Sequence, residues 1–439
     1  MKAGWTYLKA FVRRQLRSKI ARSASWMLHG QGIQLGAQFA YFVVVAHVLG
    51  PRGYGTFVAC TAVVLATAPF SPWGAGQIMI KYAARRKDEL PYYFGNAILI
   101  TITSGTALAL LLLLLRPFLL PSSVTPNMLM TVAIADLICT QLTATCSLAF
   151  MAVDLPRNSA NALIMAASLR LLAALLLFTG VASPGRWAHL YLAAAAIAMI
   201  YQVLAVSYKT STPRLRLHLI LPSLLEGFHF ATSQTAQTVY DNIDKTMLAR
   251  LSSVEAAAIY AVAYRFVDAA MLPIKALAAA TYPEFFRHGE QGVTATYRFA
   301  RRILKHSVLY GFFITITLFV AARLVPTVMG TGYVESSVAL RWLCPLPMIK
   351  SVHAFLTDTL TGANYQWERS TVQIAVAVFN VLVNLWLIRV FSWRGASWSS
   401  IGTDFLLMTL LYLVIRWHLC RERPELDRRD APLAAGTGG

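Results

Sequence analysis

Acidic residues are scarce in this chain: 19 Asp and Glu stand against 39 Lys and Arg in 439 residues. Charge of either sign is scarce as well, at 13%, where soluble domains carry about 25%. That deficit excludes a water-soluble globular protein. Cysteine is sparse too. Cys60, Cys139, Cys146, Cys344 and Cys420 form no C-x-x-C pair. Most sit in apolar runs and read as small core residues, not as metal ligands or disulfides. No P-loop motif occurs, which removes ATP as a direct energy source. A cleavable signal peptide is not expected, because the basic start is too long and the first apolar run too extended.

What the chain has in quantity is long apolar runs. It is 57% hydrophobic, with mean hydropathy +0.56. A helix needs about 20 apolar residues to cross about 30 Å of hydrocarbon. Such runs lie near 26–49, 55–73, 93–115, 127–151, 158–180, 187–208, 227–251, 256–282, 303–325, 337–360, 371–391 and 396–417, with Pro69 and Pro72 interrupting the second. The expectation is an all-α polytopic membrane protein of about 12 transmembrane helices.

Loop charge sets the orientation, since cytoplasmic loops keep Lys and Arg. The start of the chain carries Lys2, Lys9, Arg13, Arg14, Arg17, Lys19 and Arg22. Further basic clusters follow span 2 (Lys81, Arg85, Arg86, Lys87), span 6 (Lys209, Arg214, Arg216) and span 8 (Arg287, Arg298, Arg301, Arg302, Lys305), and a last one lies after span 12. The alternate loops hold one or two cations each, such as Arg52, Arg116 and Arg186. Both termini are therefore expected in the cytoplasm. The net charge of +20 then points to anionic membrane lipids as partners, and not to nucleic acid. Trp5, Leu8, Val12, Leu16 and Ile20 recur at helical spacing, so residues 1–22 read as a basic interfacial segment, with a disordered basic tail as the alternative. Residues 419–439 read as a disordered cytoplasmic tail.

The chain repeats itself at an offset of 203 residues: Gln31, Gln34 and Gln38 map onto Gln234, Gln237 and Asp241, and Phe57 maps onto Tyr260. This predicts two pseudo-symmetric six-helix lobes, 23–208 and 223–418, joined by a cytoplasmic linker at 209–222. Parallel repeats of this kind place a site between lobes.

Polar residues follow helical stripes. Gln31, Gln34, Gln38 and Tyr41 share one face of span 1, and Gln234, Gln237, Asp241 and Asp244 share one face of span 7. Arg265, Asp268 and Lys275 line span 8. Asp136, Arg170 and Lys350 also fall near mid-membrane, the last just after Pro345 and Pro347, which should break span 10. Ionisable groups at that depth mark a substrate path or pair with each other. Structural pairing is the competing reading for Asp136 with Arg170, Asp241 with Lys245, and Arg265 with Asp268. Function is favoured for Arg265, Lys275 and Lys350. His29, His229 and His353 read as packing histidines, with proton carriage as the alternative.

The segment LGPRGYGTFVACTAVV at 49–64 resembles the start of bacterial polysaccharide exporters, as does DNIDKTMLARLSSVEAAAIYAVAYRFVDAAMLPIKALAAATYPEFFR at 241–287. These are O-antigen and exopolysaccharide repeat-unit flippases of the multidrug/oligosaccharidyl-lipid/polysaccharide (MOP) superfamily. The resemblance implies a MATE-like V of two six-helix bundles in the bacterial cytoplasmic membrane, working by alternating access. It implies a polyprenyl-pyrophosphate-linked oligosaccharide as substrate, with a polysaccharide polymerase and glycosyltransferases as partners. It places Arg265 where the family has a basic residue on span 8, and Asp241, Asp244 and Lys245 in the polar part of span 7. On this view Arg265, Lys275, Lys350 and Arg170 meet phosphate, and Gln34, Gln38, Gln234 and Gln237 meet sugar. Asp241, Asp244, Asp268 and Asp136 are then candidates for proton or sodium coupling, and no cofactor is expected. A cation-coupled multidrug exporter of the same superfamily is the runner-up, although cations match or exceed acids along the stripes. A membrane-embedded glycan polymerase is a further alternative. The outer loops, at roughly a dozen residues, are short for its chemistry.

Overall fold

The computed structural model describes residues 19–83, 86–210 and 212–430. Side chains are described from Gly30 to Glu422, apart from 84, 85, 211, 229, 233, 236, 237, 239–241, 279, 280 and 283. The expected interfacial segment at 1–22 lies almost wholly outside the described residues.

The described chain is helical throughout. Helix α1 (Lys19–Thr67) is interrupted at Gly50, whose φ of 64° leaves the helical region just before Pro51. Gly50 thus ends the first span, and Pro51 starts the second with a pre-set φ. A break at 68–74 follows, with a 3-10 turn at Ala68–Phe70, and then α2 (Ala75–Ala83). Next come α3 (Leu90–Leu119), α4 (Pro126–Ala133), α5 (Gln141–Ala152), α6 (Pro156–Leu175) and α7 (Pro184–Lys209). They are followed by α8 (Ile220–Leu251), α9 (Val254–Ala270), α10 (Leu272–Gly289) and α11 (Val293–Ala321). The last are α12 (Val334–Leu343), α13 (Leu346–Gly362), α14 (Gln366–Phe391) and α15 (Trp393–Asp430).

The starts are written locally. Pro126, Pro156 and Pro184 each open a helix at a position that needs no N–H donor. Thr125, Ser183 and Ser253 cap theirs by accepting from Met128, Arg186 and Ala256 backbone N–H.

Among the described residues, eight helices are long and apolar enough to cross a membrane, or nine if the bent pair α9–α10 is one span. This is an all-α, multi-pass membrane protein. The Gly30–Ala83 stretch counts once but contains two of the expected spans, separated at Gly50. Helix α8 is long enough to cross, and its sequence carries the polar stripe from Gln234 to Asp244. The expected break in span 10 falls at Cys344 and Pro345, between α12 and α13. Span 8 is also bent, by 45° between Ala270 and Leu272, where Pro273 enters the first turn of α10.

Contacts divide the chain into two compact units, Met1–Arg250 and Leu251–Gly439. Helix α8 therefore packs with the first unit, whereas the repeat had assigned it to the second lobe. The linker is pinned there. Arg214 N–H donates to Pro91 O, and Asn96 exchanges two hydrogen bonds with the Arg216 backbone. The Arg216 guanidinium lies 3.6 Å from the Tyr92 ring centre. In the second unit, α15 runs on to Asp430, past the expected end of the lobe at 418. Its Glu422 carboxylate accepts from the backbone N–H of Val293 and Thr294 at 2.9 and 3.0 Å, and from the Thr294 hydroxyl at 2.8 Å. It caps α11, and that anchorage explains why the helix persists into a segment whose composition suggested disorder.

The first unit has a core of Met79, Leu90, Phe94, Cys146, Phe150 and neighbours, and the second one of Leu356, Leu360, Val376, Leu407, Leu411 and Ile415. All the cysteines but Cys420 are buried. At Gly30 an added Cβ would stand 2.7 Å from Ala160 Cβ, so α1 and α6 meet through small residues, as membrane helices do.

Candidate functional site

Three polar constellations lie within the membrane-crossing helices, two in the first unit and one in the second.

The first centres on Asp136. It sits in a π-helical segment, Ile134–Thr140, between α4 and α5. Ten residues from the start of α4, it is roughly 15 Å along the helix axis at 1.5 Å per residue. Its side chain is buried, at 2% exposure. The Tyr191 hydroxyl donates to Oδ1 at 2.6 Å. Arg170 reaches the carboxylate through Thr140: Nη2 donates to Thr140 Oγ1 at 2.7 Å, and that hydroxyl lies 3.4 Å from Asp136 Oδ1. The guanidinium also lies 5.1 Å from the Tyr191 ring centre. The expected pairing of Asp136 with Arg170 is thus relayed by a threonine. Among the described residues, Asp136 Oδ2 and Arg170 Nε have no hydrogen-bond partner, so the cluster has both an acceptor and a donor in reserve.

The second is a cavity of about 300 Å³ beside the break in span 2, lined by Gln77, Gln141, Gln234 and Thr238 together with Leu65, Pro69, Pro72 and Phe230. Its geometry follows from two glycines. Gly74 has φ 73°, and an added Cβ would stand 2.5 Å from Gly227 O, so α8 can approach the break closely only there. Trp73 Nε1 donates to Leu224 O at 3.1 Å and holds the approach. Below it, Lys81 pairs with Glu226, which also accepts from the Tyr82 hydroxyl at 3.2 Å.

The third lies in the second unit. Lys350 Nζ is 3.6 Å from Asp404 Oδ2, and His353 Nε2 is 3.5 Å from Asp404 Oδ1. Asp404 is 2% exposed. Lys350 also lies 5.1 Å from the Tyr264 ring centre. A buried amide and hydroxyl seam runs alongside: Asn380 donates to Ser399 and Thr403, Asn384 donates to Asn380, and Tyr260 bonds Ser400 at 2.7 Å.

The expected residues divide among these places. Arg170 and Asp136 meet, Gln234 lines the cavity, and Lys350 joins Asp404. Gln34 and Gln38 are half-buried on α1. Gln237 and Asp241 lie in α8, with side chains outside the described set. Asp244 is half-buried, and Lys245 donates to Asn242 at 3.0 Å. Arg265 and Lys275 are exposed and Asp268 half-buried. Asp268 forms no ion pair with Arg265 among the described residues, although both lie in α9. His353 is more than a packing residue, since it faces a carboxylate. Sequence reasoning missed Asp404, Tyr191, Thr140, Gln77 and Gln141. Asp404 carried a signal, as the lone carboxylate inside the apolar run 396–417, at helical spacing from Ser397 and Ser400.

The described helices make this a multi-pass membrane protein. Residues 20–288 match the family described as "Polysaccharide biosynthesis protein", and the chain belongs to that family. The Escherichia coli K12 protein "Putative O-antigen transporter" is 25% identical over 207 residues, 46% of this chain and 49% of that protein, so the match spans about half its length. Among solved structures, an inward-facing MATE multidrug resistance transporter of the MOP superfamily superposes with TM-score 0.70 at 13% identity, covering 88% of this chain and 96% of the other. The lipid II flippase MurJ, in an inward closed conformation, superposes with TM-score 0.68 at 10% identity, covering 86% of each. At that identity both likenesses concern the fold.

Proposed function

We propose that this transporter flips a polyprenyl-pyrophosphate-linked oligosaccharide across the bacterial cytoplasmic membrane by alternating access, supplying repeat units for a surface polysaccharide such as O-antigen or exopolysaccharide. Membership of the polysaccharide biosynthesis family supports this reading, as do the name of the Escherichia coli relative and the flippase fold of MurJ.

One observation carries it. Among the described residues, Asp136 and Asp404 are the buried carboxylates, and each already has a cation beside it in its own unit. A cation exporter would need a buried acid to spare. A pyrophosphate brings about two negative charges into the membrane, and Arg binds such oxygens bidentately. Arg170, Arg265, Lys275 and Lys350 are the candidates for that contact. The glutamine-lined cavity suits sugar hydroxyls, with Gln34, Gln38 and Gln237 as further donors. Asp136, Asp241, Asp244 and Asp268 are candidates for proton or sodium coupling. Glycosyltransferases on the cytoplasmic side would build the substrate, and a polymerase outside would consume it.

The deciding measurement is leaflet accessibility of the lipid-linked glycan in a deletion strain, probed with an impermeant lectin. Inward accumulation with loss of surface glycan is expected. Normal outward exposure, with no redundant flippase, rejects the reading. Altered sensitivity to cationic toxins with intact glycan would instead favour the drug exporter. In the proposed orientation, cysteines placed near Arg52 and Arg186 label from outside, and those near Arg86 and Arg301 only from inside.

A further inference from the structure

The stretch from Arg214 to Arg216 is fastened to the start of α3 through its backbone. Arg214 N–H donates to Pro91 O at 2.9 Å. The Asn96 amide, on a residue 1% exposed, donates to Arg216 O at 2.9 Å, and its oxygen accepts from Arg216 N–H at 3.0 Å. An added Cβ at Gly95 would stand 2.3 Å from Arg214 O, so only glycine lets the linker lie this close. None of these bonds uses an arginine side chain. A linker that needed only to be held could carry almost any residue at 214 and 216. The two guanidiniums are nevertheless gathered at one point, since both stand beside the Tyr92 hydroxyl.

Arg216 is shared there with an acid, because its Nη1 lies 3.2 Å from Glu89 Oε2. Arg214 is exposed and forms no ion pair among the described residues. Leu215 and Leu217 beside them are exposed apolar side chains. Cations next to exposed leucines belong at the headgroup level of a membrane, in the proposed orientation that of the inner leaflet. A phosphodiester brings one negative charge, which Arg214 alone can offset. A pyrophosphate brings about two and has a use for both guanidiniums. The site also leads inward. Tyr93 stacks on Tyr82 of α2, with ring centres 5.0 Å apart and planes 1° from parallel. Lys81 Nζ lies 5.2 Å from the Tyr82 ring centre and pairs with Glu226 of α8. Gln77 is four residues from Lys81, about 6 Å of helix, and Gln234 is eight from Glu226, about 12 Å. Both glutamines line the cavity beside the span 2 break. Cations and aromatic faces thus run from the linker to that cavity within the first unit. An ordinary phospholipid has no use for the inner part of this track.

We propose that Arg214 and Arg216 dock the pyrophosphate of the lipid-linked glycan at the inner membrane surface, and that the headgroup passes from there by Lys81 to the glutamine cavity. Glu226 neutralises Lys81 until the phosphate takes its place. The proposal rests on the flippase reading and adds an entry site to it, separate from the cations at membrane depth.

The test places an environment-sensitive fluorophore on Thr212→Cys in a Cys420→Ser background. Thr212 is exposed at the start of the same stretch, and the other cysteines are buried. The full chain in zwitterionic vesicles is titrated with polyprenyl pyrophosphate, and the signal should saturate. Arg214→Gln with Arg216→Gln should raise the half-saturating level about tenfold and leave the unfolding midpoint in place, because the backbone bonds remain. Arg214→Gln alone, which keeps the Arg216–Glu89 pair, should give most of that effect. An unchanged half-saturating level, or a midpoint lowered by both variants, overturns the proposal. Phosphatidylglycerol at the same mole fraction should not displace the ligand, and equal displacement assigns the site to bilayer lipid. Inorganic pyrophosphate should displace it only at higher concentration. Equal potency assigns the site to a soluble anion, no displacement assigns the signal to the prenyl chain, and either overturns the proposal. Lys81→Gln should keep the signal and slow glycan transport in the same vesicles, and undiminished transport overturns the path. Transport by the unsubstituted residues at 81, 214 and 216 without a saturable signal rejects the entry site alone. A competed signal without transport keeps the entry site and rejects the export function.

Discussion

The ammonium of Lys350 stands 3.6 Å from the carboxylate of Asp404, both of them inside the second unit, with side-chain exposures of 15% and 2%. The pair joins α13, just after its Pro345 break, to the first third of α15. A charge pair at that depth is costly to break, because either partner alone is a charge in hydrocarbon.

Lys350→Ala should therefore lower stability by roughly 3–5 kcal/mol, the cost of stranding a buried partner. The double change Lys350→Met with Asp404→Leu should recover most of that loss while export stays low. Thermal unfolding of the purified protein measures the first effect, and surface glycan the second. Full export by the double variant would make the pair purely structural.

Arg170 should respond to shape as well as charge. Arg170→Lys keeps the cation but loses the planar contact with Tyr191 and the reach to Thr140. Export should fall in the order wild type, Arg170→Lys, Arg170→Ala, the last by about tenfold or more, equivalent to ~1.4 kcal/mol. Equal export by all three would remove this cluster from the transport path.

The glutamine cavity predicts a different pattern. Gln77, Gln141 and Gln234 line open space, so alanine at each should change stability by no more than about 0.5 kcal/mol. Export should nevertheless drop, and the triple variant should be the weakest. A triple variant that unfolds early would show that these side chains hold the break in span 2 instead of facing sugar.

Arg265 offers the sharpest single test of phosphate contact. Arg265→Ala should abolish glycan export with normal membrane insertion, and Lys275→Ala should reduce it partly. Unchanged export at normal expression would take Arg265 out of the binding site.

Acid should loosen one end of the first unit. The hydrogen bond from Lys81 holds the Glu226 carboxyl below its ordinary range, aided by the Tyr82 hydroxyl and opposed by slight burial. A lowered folded value means that the contribution is present above the ordinary glutamate pKa, about 4.3. It is lost as pH falls through the lowered value. Both side chains are partly solvent-accessible, at 46% and 33%, so the contribution is small, within about 1 kcal/mol. Lys81→Ala should flatten this part of the profile of unfolding midpoint against pH. An unchanged slope would assign the acid sensitivity to other carboxylates.

Much of the architecture was readable from the sequence, because a bilayer asks for little more than apolar runs of fixed length. Pro69-Pro72 and Pro345-Pro347 marked two of the interruptions, since proline acts through the backbone itself. The bend after Ala270 left only Pro273 as a hint. Asp136, Arg170 and Lys350 stood out as charges in hydrocarbon. Their partners did not, because Tyr191 and Thr140 are ordinary residues of apolar spans until the fold brings them together. Asp404 was overlooked beside the basic tail that follows it. Gln77 and Gln141 became neighbours of Gln234 only because the break in span 2 bends the chain toward α8, a long-range contact that no local spacing encodes.

The π-helical segment Ile134–Thr140 amounts to a one-residue insertion absorbed by a helix. An extra residue in one turn rotates everything after it by about 100°. The faces of α4 and α5 are therefore out of phase, and that offset lets Asp136 look inward at Tyr191 while Gln141 lines the cavity. Deleting any single residue of the segment would let the helix close into regular α geometry. The buried and cavity-lining faces of α5 would then turn away from their partners, even where the residue deleted is neither Asp136 nor Thr140 and every side chain of the two sites is kept.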